Sequence, residues 1–440
     1  MPLIQMDNNS KLSSKQYYIN LIIVAIFTGL IISGYKLAIS FVSKNMRLLL
    51  TFCKSQAGGF IYFLASFLLL ALVVQLLTNL DKFSTMGSGI PVIYGLLNNK
   101  WTVKWQTALP IRFITSSLTV GSGLTLGREG PSVQLGGLVG EAVSKIQSVK
   151  DESAYKDYVS AGSASALAVA FNTPLAGVAF YIEELAKKIN KQVFLTSTLT
   201  VLIAVTVSNF ILPNQPTLLN VPHFPALSAN YYLFVIGLAI VTAASGILFS
   251  YLILNSNKFY ALSKVKDRYK FYLPFIIAAI WIYFDPHLFG VGEEMMEPNW
   301  AVSGNLRLLC YFYIAKLLLL FLAFGISVPG GNLVPLLVIG AVIGNLYAST
   351  LIYLGLLQPK DLYFFVLLAL CAHFSAIVRT PITSALLVFE MSGGAFSYLF
   401  SLLLVSFTAY AIAEYCKVPA FYEDLYKKML AKQANSSACK

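Results

Sequence analysis

Arg128 and Glu129 stand side by side in GREGPSVQL (127–135), boxed by Gly127, Gly130 and Pro131 and flanked by long apolar or small-residue stretches. A carboxylate at the start of an apolar helix has a definite chemistry open to it. The first N–H groups of a helix lack intrahelical partners, and with the macrodipole they form a partial positive charge suited to an anion. Glu129 can occupy such a pocket when ionised and leave it when protonated, which couples an anion to a proton. Arg128 reads differently. Neighbours in sequence diverge on a helix, so it is expected to pair with another acid or with carbonyls rather than to coordinate the anion.

Other stretches repeat the theme. GSGIP (87–91, with Gly87, Ser88 and Gly89) and GGNLVP (330–335, with Asn332 and Leu333) put glycines, which allow close approach to the backbone, and a proline at helix starts, where its missing N–H is not needed. Tyr422 in AFYEDLY adds a phenol and Ser88 a hydroxyl. Partial charges and hydroxyls bind an anion firmly enough to strip its water yet weakly enough to release it, as transport requires. Close helix packing alone would also explain such Gly/Pro turns. Glu183 and Glu184, after FNTPLAGVAFYI and before Lys187–Lys188, are either a helix end meeting the cytoplasm or a proton entry point.

These residues need a membrane scaffold. The 440 residues are 57% hydrophobic and 11% charged, well under the ~25% charged of soluble domains. Apolar runs are long and unbroken, which excludes the alternating strands of a β-barrel. Runs at 20–43 and 57–80 can span; others, such as 158–171, 174–186 and 382–391, are too short. Short segments broken by Gly and Pro read as half-helices ending at mid-membrane around a protein-lined path. The expectation is an all-α polytopic membrane protein of ten or more helical segments. A single membrane domain covers 20–422, with halves at roughly 20–215 and 230–422 and cytoplasmic tails at 1–19 and 423–440. No sequence identity between the halves stands out beyond the Gly-rich turns leading into Pro. Charged runs at 145–157 and 264–270 and the Pro/Asn-rich stretch 213–230 read as loops.

The net charge of +12 sits mostly in tails and loops, which argues for cytoplasmic loop bias and anionic lipid, not nucleic acid. Five scattered cysteines and three unclustered histidines point to no disulfide framework, metal or cofactor. No cleavable signal is expected ahead of the first span.

GSGIP, GREGPSVQLGG, FNTPLAGVAFYIEEL (171–185), PGGNLVPLLVIGAVIG (329–344), VRTPITSALLVFEM (378–391) and Tyr422 together resemble, in family order, the CLC chloride channels and proton-coupled chloride transporters. The resemblance implies a fold of two inverted, interwoven halves of tilted, partly discontinuous helices, assembled as a homodimer. It implies that Ser88 and Tyr422 are hydroxyl donors to a central chloride and that the amides of Asn332 and Leu333 are its backbone donors. The Gly87, Gly89, Gly127, Arg128 and Gly130 backbone would then line the path. Glu129 resembles the external gating glutamate, and Glu184 the internal proton-transfer glutamate that channels of the family usually lack. The reading implied is a chloride/proton antiporter of a bacterial inner membrane, with chloride, protons and the bilayer as its partners; the alternative is a passive chloride channel. A membrane enzyme using Glu129 and Glu184 as acid and base is the rival of another class, against which stands the want of any nucleophile or cofactor fingerprint. The chain departs from the family at Leu333, commonly Phe, at Asn332, where Ile is common, and at Val92, often Glu. Ser88 is the chloride form rather than the proline of nitrate-preferring relatives, and the pattern of the fluoride-exporting branch is not shared. The short tail after Tyr422 implies no cytosolic nucleotide-binding modules.

Overall fold

The computed structural model describes residues 13–213, 217–218, 221–222, 231–263 and 265–438. His223, Cys439, the first twelve residues and most of the 213–230 loop lie outside the described residues.

Among those described there is no strand, and eight helices are long and apolar enough to cross a membrane. The first half contains α1 (Ser14–Lys54), α2 (Gly59–Leu80), α3 (Lys82–Thr85), α4 (Ile90–Leu97), α5 (Trp105–Gly121), α6 (Glu129–Ile146), α7 (Glu152–Phe171), α8 (Pro174–Phe180) and α9 (Lys191–Asn209). The second contains α10 (Tyr231–Leu254), α11 (Ser256–Leu262), α12 (Asp267–Lys270), α13 (Leu273–Phe284), α14 (Leu306–Gly325), α15 (Leu333–Tyr353), α16 (Leu362–Val378), α17 (Pro381–Met391), α18 (Leu399–Tyr415) and α19 (Phe421–Ala438). The charged run at 145–157 is a loop only in part, because Asp151 caps α7 through the Ser153 and Ala154 amides and the helix starts inside the run. Nor is α19 an apolar helix like the others. Its first residues, Phe421 and Tyr422, are buried, and it then continues as a charged helix through the expected tail.

The two halves carry a sequence repeat that the Gly-rich turns only hinted at. Gly127-x-x-x-Pro131, then Gly136 and Gly140, is matched by Gly331-x-x-x-Pro335, then Gly340 and Gly344. The glycines let the next helix press on the backbone. A Cβ on Gly136 would lie 2.1 Å from the Gly162 carbonyl of α7, and one on Gly344 2.5 Å from the Ala369 Cβ of α16. Each partner helix ends in a left-handed residue, Asn172 or Arg379, followed by Thr-Pro and the short helix α8 or α17. Gly127 and Gly331 exchange both backbone hydrogen bonds at 2.7 Å, in antiparallel sense. Equivalent residues paired antiparallel are what a two-fold relation between inverted halves produces.

A second reciprocal contact extends this relation. Glu183 accepts from the Ile382 and Thr383 amides at 3.1 and 2.7 Å, and Glu390 from the Leu175 and Ala176 amides at 2.9 and 2.8 Å. Each acid stands at the same distance after its own Thr-Pro, and each caps the other half's short helix. The contact is expected to stabilise both halves alike. Glu183→Gln and Glu390→Gln should each cost about 1–2 kcal/mol, the loss of charge assistance at a helix N-terminus. Thermal unfolding of the purified variants in detergent measures it; a clear drop for only one of them breaks the equivalence.

Candidate functional site

Three helix starts converge. α6 begins at Glu129, α15 at Leu333, and α4 at Ile90 behind Ser88. The Gly127–Gly331 pair locks the first two together, and Gly87 ties the third to them by donating to Ser327 O at 2.9 Å and accepting from Gly330 N at 3.2 Å. A Cβ built on Gly130 would lie 2.6 Å from Ser88 Oγ and 3.2 Å from Gly331 Cα, so all three loops touch at one point.

The Ser88 loop is held from behind. Arg112 of α5, fully buried, donates to Thr85 O at 2.6 Å and to Gly87 O at 2.7 Å, and Gln134 of α6 donates to Ser84 O at 2.5 Å. Gly89 has φ +92°, and a Cβ there would collide with both Gln134 and Arg112. The sequence reading passed over these two polar side chains. Their signal is an Arg and a Gln standing among the apolar and small residues of the mid-helix stretches of α5 and α6.

Ser88 is buried, and its hydroxyl has no hydrogen-bond partner among the described residues. Glu129 is fully buried. The amides of Glu129 and Val334 face its carboxylate, yet among the described residues neither oxygen meets a partner at full hydrogen-bond geometry. The acid thus lies between the starts of α6 and α15. Arg128 spans two acids, with Nε 3.5 Å from Glu129 Oε1 and Nη2 3.5 Å from Glu293 Oε1. The expected divergence of neighbours fails here because Arg128 is the cap residue, ahead of the first turn. The expected second acid exists in Glu293, at the start of the short 3-10 helix Glu293–Met296, which the sequence did not single out. Leu333 is buried, and Tyr422, also buried, donates its phenol proton to Asn332 Oδ1 at 3.0 Å.

Glu184 lies apart from this cluster. It follows α8 on a π-helical turn, Tyr181–Ala186, which splits the acid pair: Glu183 caps α17 while Glu184 turns inward. Tyr94 of α4 donates to the Glu184 carboxylate. Tyr422 is within electrostatic reach of both Glu184 and Glu129.

Two cavities open to the acids from opposite ends. One of about 650 Å³ is lined by Lys36, Lys44, Arg47, Arg128, Glu129 and Glu293. Another of about 450 Å³ is lined by Tyr94, Lys156, Asp157, Glu184, Lys187 and Lys427. α1 connects the ends. Tyr17 near its start bonds Asp157 at 2.7 Å, at the Glu184 cavity, whereas Lys36 lines the Glu129 cavity. The helix between them covers about 28 Å, close to a hydrocarbon core of ~30 Å. Cations outnumber acids among the lining residues of both cavities, a field that concentrates anions at each mouth. The start of α1 and the start of α19, which supplies Glu423 and Tyr426, share the Glu184 side.

The profile of the family described as "Voltage gated chloride channel" matches residues 68–414. The chain belongs to this family. It is 30% identical over 422 residues to the "H(+)/Cl(-) exchange transporter ClcA" of Vibrio vulnificus, covering 93% of this chain and 88% of that protein. The protein of the same name from Vibrio cholerae is 29% identical, covering 94% of this chain and 89% of its own. Among solved structures, a slow cyanobacterial Cl-/H+ antiporter superposes with a TM-score of 0.87 at 23% identity, covering 96% of this chain and all of that one. A CLC-type fluoride/proton antiporter superposes at 0.71 with 19% identity, covering 92% of this chain and 97% of the other. At those identities the two structures show the shared fold. The chloride-channel family's relatives are transporters, so the enzyme reading of Glu129 and Glu184 is set aside.

Proposed function

We propose that the chain is a chloride/proton antiporter, with Glu129 as gate and proton carrier and Glu184 as internal proton-transfer acid. The observation that carries this reading is the setting of Glu129: buried, unpartnered at hydrogen-bond geometry, and lodged where two helix starts would otherwise present free amides to an anion. An unpartnered Ser88 hydroxyl beside it supplies a further donor. The central chloride is held by Ser88, the Asn332 and Leu333 amides and the Tyr422 region. Ionised Glu129 competes for that field; protonated Glu129 releases it. Glu184, in the other cavity, loads and unloads the proton on its side, with Tyr94 holding its carboxylate. The names of the Vibrio relatives support exchange, not passive conduction. The protein is read as a homodimer in a bacterial inner membrane, with both termini in the cytoplasm on the Glu184 side.

Proteoliposomes test the exchange. A chloride gradient is expected to drive protons uphill, and chloride flow without proton movement would establish a passive channel instead. Glu184→Gln is expected to lower proton flux at least about tenfold, since an amide cannot carry the proton and general acid–base transfer is worth that much or more. Proton flux equal to wild type would remove Glu184 from the path.

A further inference from the structure

An acid at the entrance of an anion path works against the traffic. The outer cavity gathers anions through Lys36, Lys44 and Arg47 of α1 and Arg128 ahead of α6, yet Glu293 lines it too, with its side chain 48% exposed. A smaller cavity of about 190 Å³ also has Lys36, Arg128 and Glu293 in its wall. A carboxylate there offsets part of the field that draws chloride in. The position is nevertheless firmly built. Lys316 of α14, a buried residue, donates to Leu288 O at 3.1 Å and to Gly290 O at 2.8 Å, and Gly290 N donates to Gly123 O at 2.7 Å. Gly292, at φ +88°, turns the chain immediately ahead of Glu293, and a Cβ there would lie 3.0 Å from Lys316 Cε. A cation buried in a spanning helix is costly and marks a use. Here it fixes the turn that carries Glu293.

Arg128 is shared between two unlike settings. Its Nε lies 3.5 Å from buried Glu129 and its Nη2 3.5 Å from half-exposed Glu293, both longer than a good hydrogen bond. One guanidinium charge thus serves two carboxylates, one inside and one wet. While Glu293 is ionised it offsets the charge that Arg128 presents to Glu129, and neutralising Glu129 by a proton costs less. Without the Glu293 charge the guanidinium acts on Glu129 alone and favours its ionised, seated form. The other charged groups lining the cavity are Lys36, Lys44 and Arg47 of α1 and Glu294, and the Tyr35 phenol of α1 is within electrostatic reach of Arg128 and Glu129. From α14, Lys316 is within such reach of Glu294 and Asp285. Among the described residues, Glu129 and Glu293 are the acids paired with Arg128.

We propose that Glu293 is a positioning residue of the exchange: acting through Arg128, it sets the pH at which Glu129 takes up its proton and gives way to the anion. This rests on reading Glu129 as gate and proton carrier. Glu293 itself carries no transported ion. It weakens the attraction of chloride to the outer mouth, and in return the gate releases at a less acidic pH than Arg128 alone would allow.

Proteoliposomes carrying the full-length protein, with equal pH on both sides and taken through a pH series, test it; chloride and proton fluxes are recorded together. In Glu293→Gln the pH of half-maximal exchange is expected to fall by roughly half to one unit, the size of a charge interaction across one guanidinium in a partly wet site. The sign follows from the charge: with one carboxylate fewer beside Arg128, Glu129 needs a higher proton concentration to be neutralised. The proton-to-chloride ratio should stay as in the wild type, since Glu129 and Glu184 are intact. Glu293→Asp, which keeps the charge, should restore most of the profile, and Glu293→Ala serves if the glutamine variant does not fold. Glu294→Gln removes an acid of the same cavity that is not paired with Arg128, and should move the profile less. An unchanged profile in Glu293→Gln, or a shift to higher pH, overturns the proposal. So does an equal shift in Glu294→Gln, which would mean a general surface field. A wild type without proton-coupled exchange takes down the antiporter reading, and this inference with it.

Discussion

Glu129→Gln is expected to abolish proton coupling while chloride flux persists. In proteoliposomes carrying a chloride gradient, proton movement should fall by about a hundredfold or more, the range set by removing a general acid–base group. Glutamine matches glutamate in shape, so it fits the buried slot between α6 and α15. It is also permanently in the state that protonated Glu129 only visits. Two helix starts, each equivalent to roughly half a positive charge, face that slot. With a carboxylate there, an arriving anion must compete for the same amides. With a carboxamide, competition ends, so chloride binding should tighten at neutral pH while proton exchange stops. Arg128 does not lock the acid in place: at 3.5 Å its Nε forms no hydrogen bond with Glu129, and Glu293 draws on the same guanidinium. Simultaneous pH and chloride electrode recordings give both fluxes from one sample. A proton-to-chloride ratio equal to wild type would take Glu129 out of the mechanism. Loss of both fluxes together would mean that the carboxylate opens the path as well as coupling it.

The parts of this site legible in the sequence were those that break a pattern. GSGIP, GREGP and GGNLVP interrupt apolar runs with glycine and proline, and the structure brings those three interruptions to one point. Glu129 was legible because no ordinary membrane helix begins that way. The partners that set the geometry were harder to read. Arg112 and Gln134 are single polar residues whose roles depend on which carbonyls lie opposite, and nothing in local spacing says that Thr85, Gly87 and Ser84 do. Glu293 looked like an ordinary loop acid until folding placed it beside Arg128. The internal repeat was hidden for another reason. Its matching positions are a handful of Gly, Pro and Glu residues, fixed by backbone contact and capping, while the apolar residues between them are free to vary. The cap residue of α15 misled in the opposite sense: Asn332 attracts notice for its backbone amide, whereas the structure turns its side chain toward Tyr422.

Arg112 carries the second large expectation. Arg112→Leu should destabilise the protein by about 1–3 kcal/mol, because the Thr85 carbonyl would lose its buried partner, whereas Gly87 O keeps the Gly330 amide. The functional effect should exceed the packing effect. The Thr85–Gly87 segment leads directly into Ser88, and a positional error of 1 Å in such a loop matters at a site made of short contacts. The guanidinium is also a full positive charge buried one loop away from the proposed anion site, so its removal lowers the field there even if the loop holds. Chloride affinity should therefore drop by about tenfold or more, since 1.4 kcal/mol suffices for each factor of ten. Arg112→Lys separates the two contributions. It restores the charge but lacks the planar fork that serves two carbonyls at once. It is expected to recover part of the affinity and less of the stability. Gln134→Ala, which releases only Ser84 and carries no charge, should lower the melting temperature with a smaller effect on affinity. Thermal unfolding and chloride titration on the same preparations decide the matter. If Arg112→Leu melts as wild type and binds chloride equally well, the Ser88 loop holds its shape without the side chain beneath it, and this account of its support is wrong.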